Sequence, residues 1–159
     1  MMELINEFQR ACQEEMAFLV EEFGFGPPDV EVDRFGAELR YKNATTGITV
    51  RLEPRENRIF VMLYRLVGGE FPHYHSVHER DADLSNNFDL DDLIALRCPS
   101  LSVAQPFNEW LTGPRLREVL VGYARALREC ASDVLAGNFR IFTDLGEIVA
   151  KRLSNLDDT

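Results

Sequence analysis

The stretch "AELRYKNATTGITVRLEPRENRIFVMLYRLV", Ala37 to Val67, decides the fold class. Its first part alternates, with Ala37, Leu39 and Tyr41 on one side and Glu38, Arg40 and Lys42 on the other. After the turn "NATTG", Ile48, Val50 and Leu52 alternate with Thr49, Arg51 and Glu53. A period of two sends successive side chains to opposite faces of a sheet, so both pieces read as strands with one buried and one solvated face. "PREN" is a second turn rich in turn-forming residues. "RIFVMLYRLV" (58–67) differs, being apolar on both sides: Ile59, Val61 and Leu63 continue the buried face, while Phe60, Met62 and Tyr64 lie on the other. "DVEVDRF" precedes these segments and alternates weakly, with Val30 and Val32 on one side. Consecutive strands joined by short turns imply a four-stranded antiparallel meander.

Helical periodicity flanks the sheet. Over 3–23, Leu4, Phe8, Ala11, Cys12, Met16, Leu19 and Phe23 form one stripe that Gly24, Gly26, Pro27 and Pro28 terminate. "DLDDLIALR" reads as a short helix with Asn87 or Asp89 as N-cap and Pro99 beyond its end. The strongest helix spans 114–136, opened by Pro114 and closed by Gly137, with an apolar stripe from Leu116 to Leu135. A last helix, near 139–154, turns Phe142, Leu145, Ile148, Val149 and Leu153 inward. In the irregular stretch before helix 114–136, Trp110 is expected to serve as an anchor. The pattern predicts one α+β domain over 1–159: an N-terminal helix, the meander sheet, then C-terminal helices packed on one sheet face.

Composition narrows the function classes. The 159 residues carry a formal charge of −10, and 45% of them are hydrophobic. Such a chain repels phosphate backbones and anionic bilayers, so neither nucleic acid nor membrane is an expected partner, whereas a basic protein is steered toward it. Nothing at the N-terminus reads as a signal peptide, and no apolar run is long enough to span a bilayer. The three cysteines, Cys12, Cys98 and Cys130, are odd in number and widely spaced, which suggests free thiols in a cytoplasmic protein. No GxSxG elbow, glycine-rich phosphate loop or HExxH motif is present.

Candidate sites gather in "FPHYHSVHERDADLSNNFDLDD", Phe71 to Asp92. His73 and His75, two residues apart, point the same way in an extended segment and with His78 can grip Zn²⁺. Counted from Asp81, oxygen side chains fall at places 1, 3, 5, 7, 9 and 12 of a twelve-residue string resembling an EF-hand Ca²⁺ loop. It departs from that loop in having Asn86 for the central glycine and Asp92 for the bidentate glutamate. The alternative is a helix entrance, where Asp89, Asp91 and Asp92 complement the helix dipole. A third reading is a protein interface, with Glu79, Asp81, Asp83, Asp89 and Asp91 supplying charge. Phe60 and Tyr64 would anchor the partner if the second face of strand 58–67 is open, and the same strand could join two copies in a homodimer.

"FLVEEFGF" (Phe18 to Phe25), "FDLDDLIALRCP" (Phe88 to Pro99) and "DVLAGNFRIF" (Asp133 to Phe142) resemble segments of small bacterial cytosolic proteins, some of which are immunity proteins of polymorphic toxins. In the last, Gly137-Asn138-Phe139 stands where a GDF-like turn is found. The resemblance implies an α+β fold and the binding of another protein, and brings no catalytic residue with it.

Overall fold

The computed structural model describes residues 2–72, 86–106 and 108–157. Its sheet has five antiparallel strands in the order β1-β2-β3-β4-β5. These are β1 (Asp29–Asp33), β2 (Gly36–Lys42), β3 (Thr46–Glu53), β4 (Arg58–Arg65) and β5 (Asn87–Asp89). Four were expected from the alternation. The fifth is too short to show a period: its three residues pair Asn87 with Tyr64, Phe88 with Leu63 and Asp89 with Met62, immediately before a helix.

The helices are α1 (Met2–Glu15), α2 (Ala17–Phe23), α3 (Leu90–Arg97), α4 (Gly113–Cys130), α5 (Ser132–Leu135) and α6 (Ile141–Asp157). The helix expected over 3–23 is therefore two. The backbone of Met16 leaves helical geometry at φ −96° and ψ 8°, and the Leu19 N–H reaches back only three residues, to the Met16 carbonyl. Gly24 ends α2 in the left-handed conformation at φ 71°, the role a terminal glycine suits. The helix expected over 114–136 is also interrupted, at Ala131, and Gly137 follows its second piece at φ 95°.

The expected inner face is buried. Leu39, Ile48, Val50, Leu52, Ile59 and Leu63 are fully shielded from solvent, and Ile5, Phe8, Cys12, Leu116, Leu120 and Leu127 meet them from the helices. Removing each such side chain from water contributes roughly 1.5–3 kcal/mol. α1 lies over β2 and β3 and packs against α4. β1 is different: all five of its residues are exposed.

One asparagine joins three parts of the chain. The Asn43 amide donates to the carbonyls of Phe23 and Leu135, and its oxygen accepts from the N–H groups of Thr45 and Thr46. The turn between β2 and β3 is thereby locked to the ends of α2 and α5. The buried Thr46 hydroxyl adds a bond to the Val134 carbonyl at 2.8 Å. A Cβ on Gly137 would lie 2.9 Å from the Thr45 hydroxyl oxygen, so the same contact requires glycine there.

Candidate interaction site

The segment preceding α4 is irregular, yet its backbone is anchored. Asn57 ends the turn between β3 and β4 in the left-handed region, at φ 50°, which asparagine tolerates better than most residues. Its side-chain amide donates to the Glu109 carbonyl and accepts from the Leu111 N–H, both at 2.8 Å. Gln105 binds β4 in the same manner. Its amide donates to the Ile59 carbonyl at 2.7 Å and accepts from the Ile59 N–H at 2.8 Å, filling a stretch of β4 that β5 is too short to pair. Gln105 also reaches the Tyr123 hydroxyl at 2.8 Å.

This double anchorage determines where Trp110 goes. Leu111 turns inward and is buried, while Trp110, between the two atoms that Asn57 holds, is 75% exposed. The expected anchor is thus not a core residue. Beside it lies an apolar hollow of about 390 Å³ lined by Leu4, Leu52, Pro54, Leu111 and Thr112. Glu3, Glu7 and Glu56 belong to the neighbouring elements and take part in no ion pair among the described residues, whereas Glu109 pairs with Arg115 at 3.1 Å. Sequence reading missed this site because a lone tryptophan in a loop carries no period. The one available signal was an asparagine closing a strand turn.

Two of the carboxylates expected to face a partner, Asp89 and Asp91, are engaged within the fold. Asp89 is the N-cap of α3 and accepts from the Asp91 N–H at 2.8 Å. Burial pushes its carboxyl up to about 6 despite that hydrogen bond. Asp91 accepts from the Tyr123 hydroxyl at 3.2 Å and faces Arg58 at 3.5 Å, and burial again raises its pKa. Asp92 pairs with Arg152 at 2.9 Å. Of the two readings of this string, the helix entrance describes what its last four residues do.

Phe60 and Tyr64 do share the outer face of β4 with Met62, and all three are half-buried. The Arg58 guanidinium sits 5.3 Å from the centre of the Phe60 ring. Phe71 meets Tyr64 edge to face, with ring centres 5.1 Å apart, and lies on Gly47, where a Cβ would collide with its ring. The second face of the strand is thus partly covered by the chain itself.

His73, His75, His78, Glu79, Asp81 and Asp83 lie outside the described residues. Among those described, no group of three or more His, Cys, Asp or Glu side chains is placed to hold a metal ion. No helix of the described residues is long and apolar enough to cross a membrane.

The cysteines require a correction. Cys98 and Cys130, expected as free thiols, form a disulfide across Cα atoms 6.3 Å apart. Their separation of 32 residues hid the pairing, which exists because the end of α3 packs beside the end of α4. Arg97 reinforces the junction, bonding the Cys130 carbonyl and both carboxylate oxygens of Asp133. Cys12 is free and buried, and burial raises its thiol pKa to about 12, so it is an inert core residue.

Comparison of the chain with protein-family models, with curated proteins and with solved structures returns no significant match.

Proposed function

We propose that this chain is a non-enzymatic protein-binding module whose acidic surface steers a basic protein partner onto a site centred on Trp110, as an immunity protein meets a toxin domain. The observation that carries this reading is the exposure of the chain's sole tryptophan on backbone that Asn57 pins on both sides. Tryptophan is the residue type most enriched among interface hot spots. A backbone already held in place also loses little conformational entropy on binding. The hollow beside it suits an apolar side chain of the partner, and Glu3, Glu7 and Glu56, in no ion pair among the described residues, add to the acidic charge that steers a basic chain. Asp89 and Asp91 are less suited to the role, because their carboxylates are engaged by Tyr123, Arg58 and the start of α3.

The test is co-purification of the chain with the product of the gene next to its own, followed by titration at several salt concentrations. Binding should weaken as salt rises. Trp110→Ala should weaken it on the order of tenfold to thirtyfold, the loss expected for a central aromatic anchor. Failure to bind that neighbour, or equal affinity after Trp110→Ala, would overturn the proposal.

A further inference from the structure

The two edges of the sheet are treated differently. On one side β5 pairs with the end of β4, and the Gln105 amide satisfies the Ile59 N–H and carbonyl where β5 stops. Each side ends on an edge strand, β5 with three residues and β1 with five, and no described residue hydrogen-bonds to the outer backbone edge of β1. An unpaired strand edge is a template for another strand.

The side chains of β1 specify which strand fits. Val30 and Val32 stand opposite Leu39 and Ala37, which face the core, yet they are 42% and 48% exposed. The described helices pack chiefly on β2 to β5, which leaves these two valines half in water. On the solvent face stand Asp29, Glu31 and Asp33. Asp33 is committed: its carboxylate accepts from the N–H groups of Phe35 and Gly36 and meets Arg51 at 3.2 Å. Glu31 has only a long contact to Arg40, at 3.9 Å, and Asp29 enters no ion pair among the described residues.

A second copy of the chain is the wrong occupant. Antiparallel pairing of two β1 strands about Glu31 would set Glu31 against Glu31 and Asp29 against Asp33, and like charges directly opposite one another are destabilising. A strand carrying lysine or arginine on that face meets the opposite situation. We propose that β1 accepts an extended segment of a basic protein as a sixth strand, its apolar residues over Val30 and Val32 and its cations beside Asp29 and Glu31. The backbone ladder gives such strand addition its affinity, and the alternate side chains give it specificity. The edge is separate from Trp110, so either surface can fail without the other.

The test uses the full chain and a fluorescein-labelled peptide of alternating Lys and Val, read by anisotropy at low salt. Binding is expected, with amide-exchange protection appearing in β1. A peptide with proline at its central valine, or one with Glu for Lys, should bind at least tenfold more weakly. Glu31→Lys should cost a similar factor without changing the circular-dichroism spectrum, and Glu147→Lys on α6, beside the far edge, should change affinity less than twofold. Absence of binding, equal binding of the proline peptide, or equal loss from Glu147→Lys would overturn the proposal. So would light scattering that shows the chain pairing with itself through β1.

Discussion

Replacing Asn57 separates two things this residue does, and the structure assigns a size to each. Its amide makes two hydrogen bonds to the backbone around Trp110, and its own backbone sits at φ 50°. A protein hydrogen bond contributes about 0.5–1.5 kcal/mol net, so losing both costs roughly 1–3 kcal/mol. A left-handed backbone adds about 1 kcal/mol for a residue with a Cβ and no local hydrogen bonding, and nothing for glycine. Asn57→Gly should therefore lower stability by about 1–3 kcal/mol and Asn57→Ala by about 2–4 kcal/mol. Urea unfolding followed by far-ultraviolet circular dichroism measures both, with an unchanged slope showing that the same structure unfolds. Because the chain has one tryptophan, time-resolved fluorescence anisotropy reports on Trp110 alone. Both variants should show faster local rotation of the indole than the parent chain. If both match the parent in stability and indole motion, Asn57 does not hold the loop, and the reasoning that Trp110 is presented on fixed backbone fails. If Ala and Gly fall equally, the left-handed backbone at residue 57 costs a Cβ nothing.

Three other outcomes follow from the fold. Asn43→Ala removes four hydrogen bonds to backbone groups that join α2, the turn between β2 and β3, and α5, and should cost about 3–5 kcal/mol in urea unfolding. A loss below about 1 kcal/mol would show that those bonds are replaced by water. Reducing the Cys98–Cys130 disulfide should lower stability by about 3–4 kcal/mol, the chain-entropy value for its 32-residue loop, and Cys98→Ser with Cys130→Ser should reproduce the reduced chain. Equal melting temperatures with and without reductant would contradict that. Asp89 should make stability fall as pH rises. Its carboxyl is about 6 in the folded chain and near 4 when unfolded, so the folded state holds its proton more tightly. The penalty is absent below the unfolded value, grows between about pH 4 and 6, and is complete above that. Asp89→Asn can still cap α3, so it should gain about 1–2 kcal/mol at pH 7 after allowance for solvent screening, and should flatten this part of the profile. An unchanged profile would mean that the Asp89 carboxyl is better solvated than its burial indicates.

Much of the core could be read from periodicity. Leu39, Tyr41, Ile48, Val50 and Leu52 alternate because one side of their strands meets helices and the other carries mostly polar side chains, although Thr49 on that second side is buried as well. Features set by a single contact left no such trace. β5 exists because three residues pair with Tyr64, Leu63 and Met62 just before Asp89 caps α3, and only the cap was visible. Cys98 and Cys130 looked unrelated because proximity between two helix ends is not written in either helix. The aspartates of α3 were legible as negative charge, but their burial against Tyr123 and Arg58 depends on α4 and β4 arriving from elsewhere in the chain.

The sequence by itself determined the class of fold and the buried faces, because alternation and helical spacing are local and each repeats over several residues. The tertiary structure alone decided which polar and aromatic groups remain available. Trp110 is exposed because Asn57, 53 residues away from Trp110 in the numbering of the chain, holds the backbone on both sides of it. Among the described residues β1 is open because the helices pack chiefly on β2 to β5, while the opposite edge is only the three residues of β5, with Gln105 satisfying Ile59 beyond it. Exposure is a property of what fails to pack against a residue, and that is fixed only when every other segment has found its place.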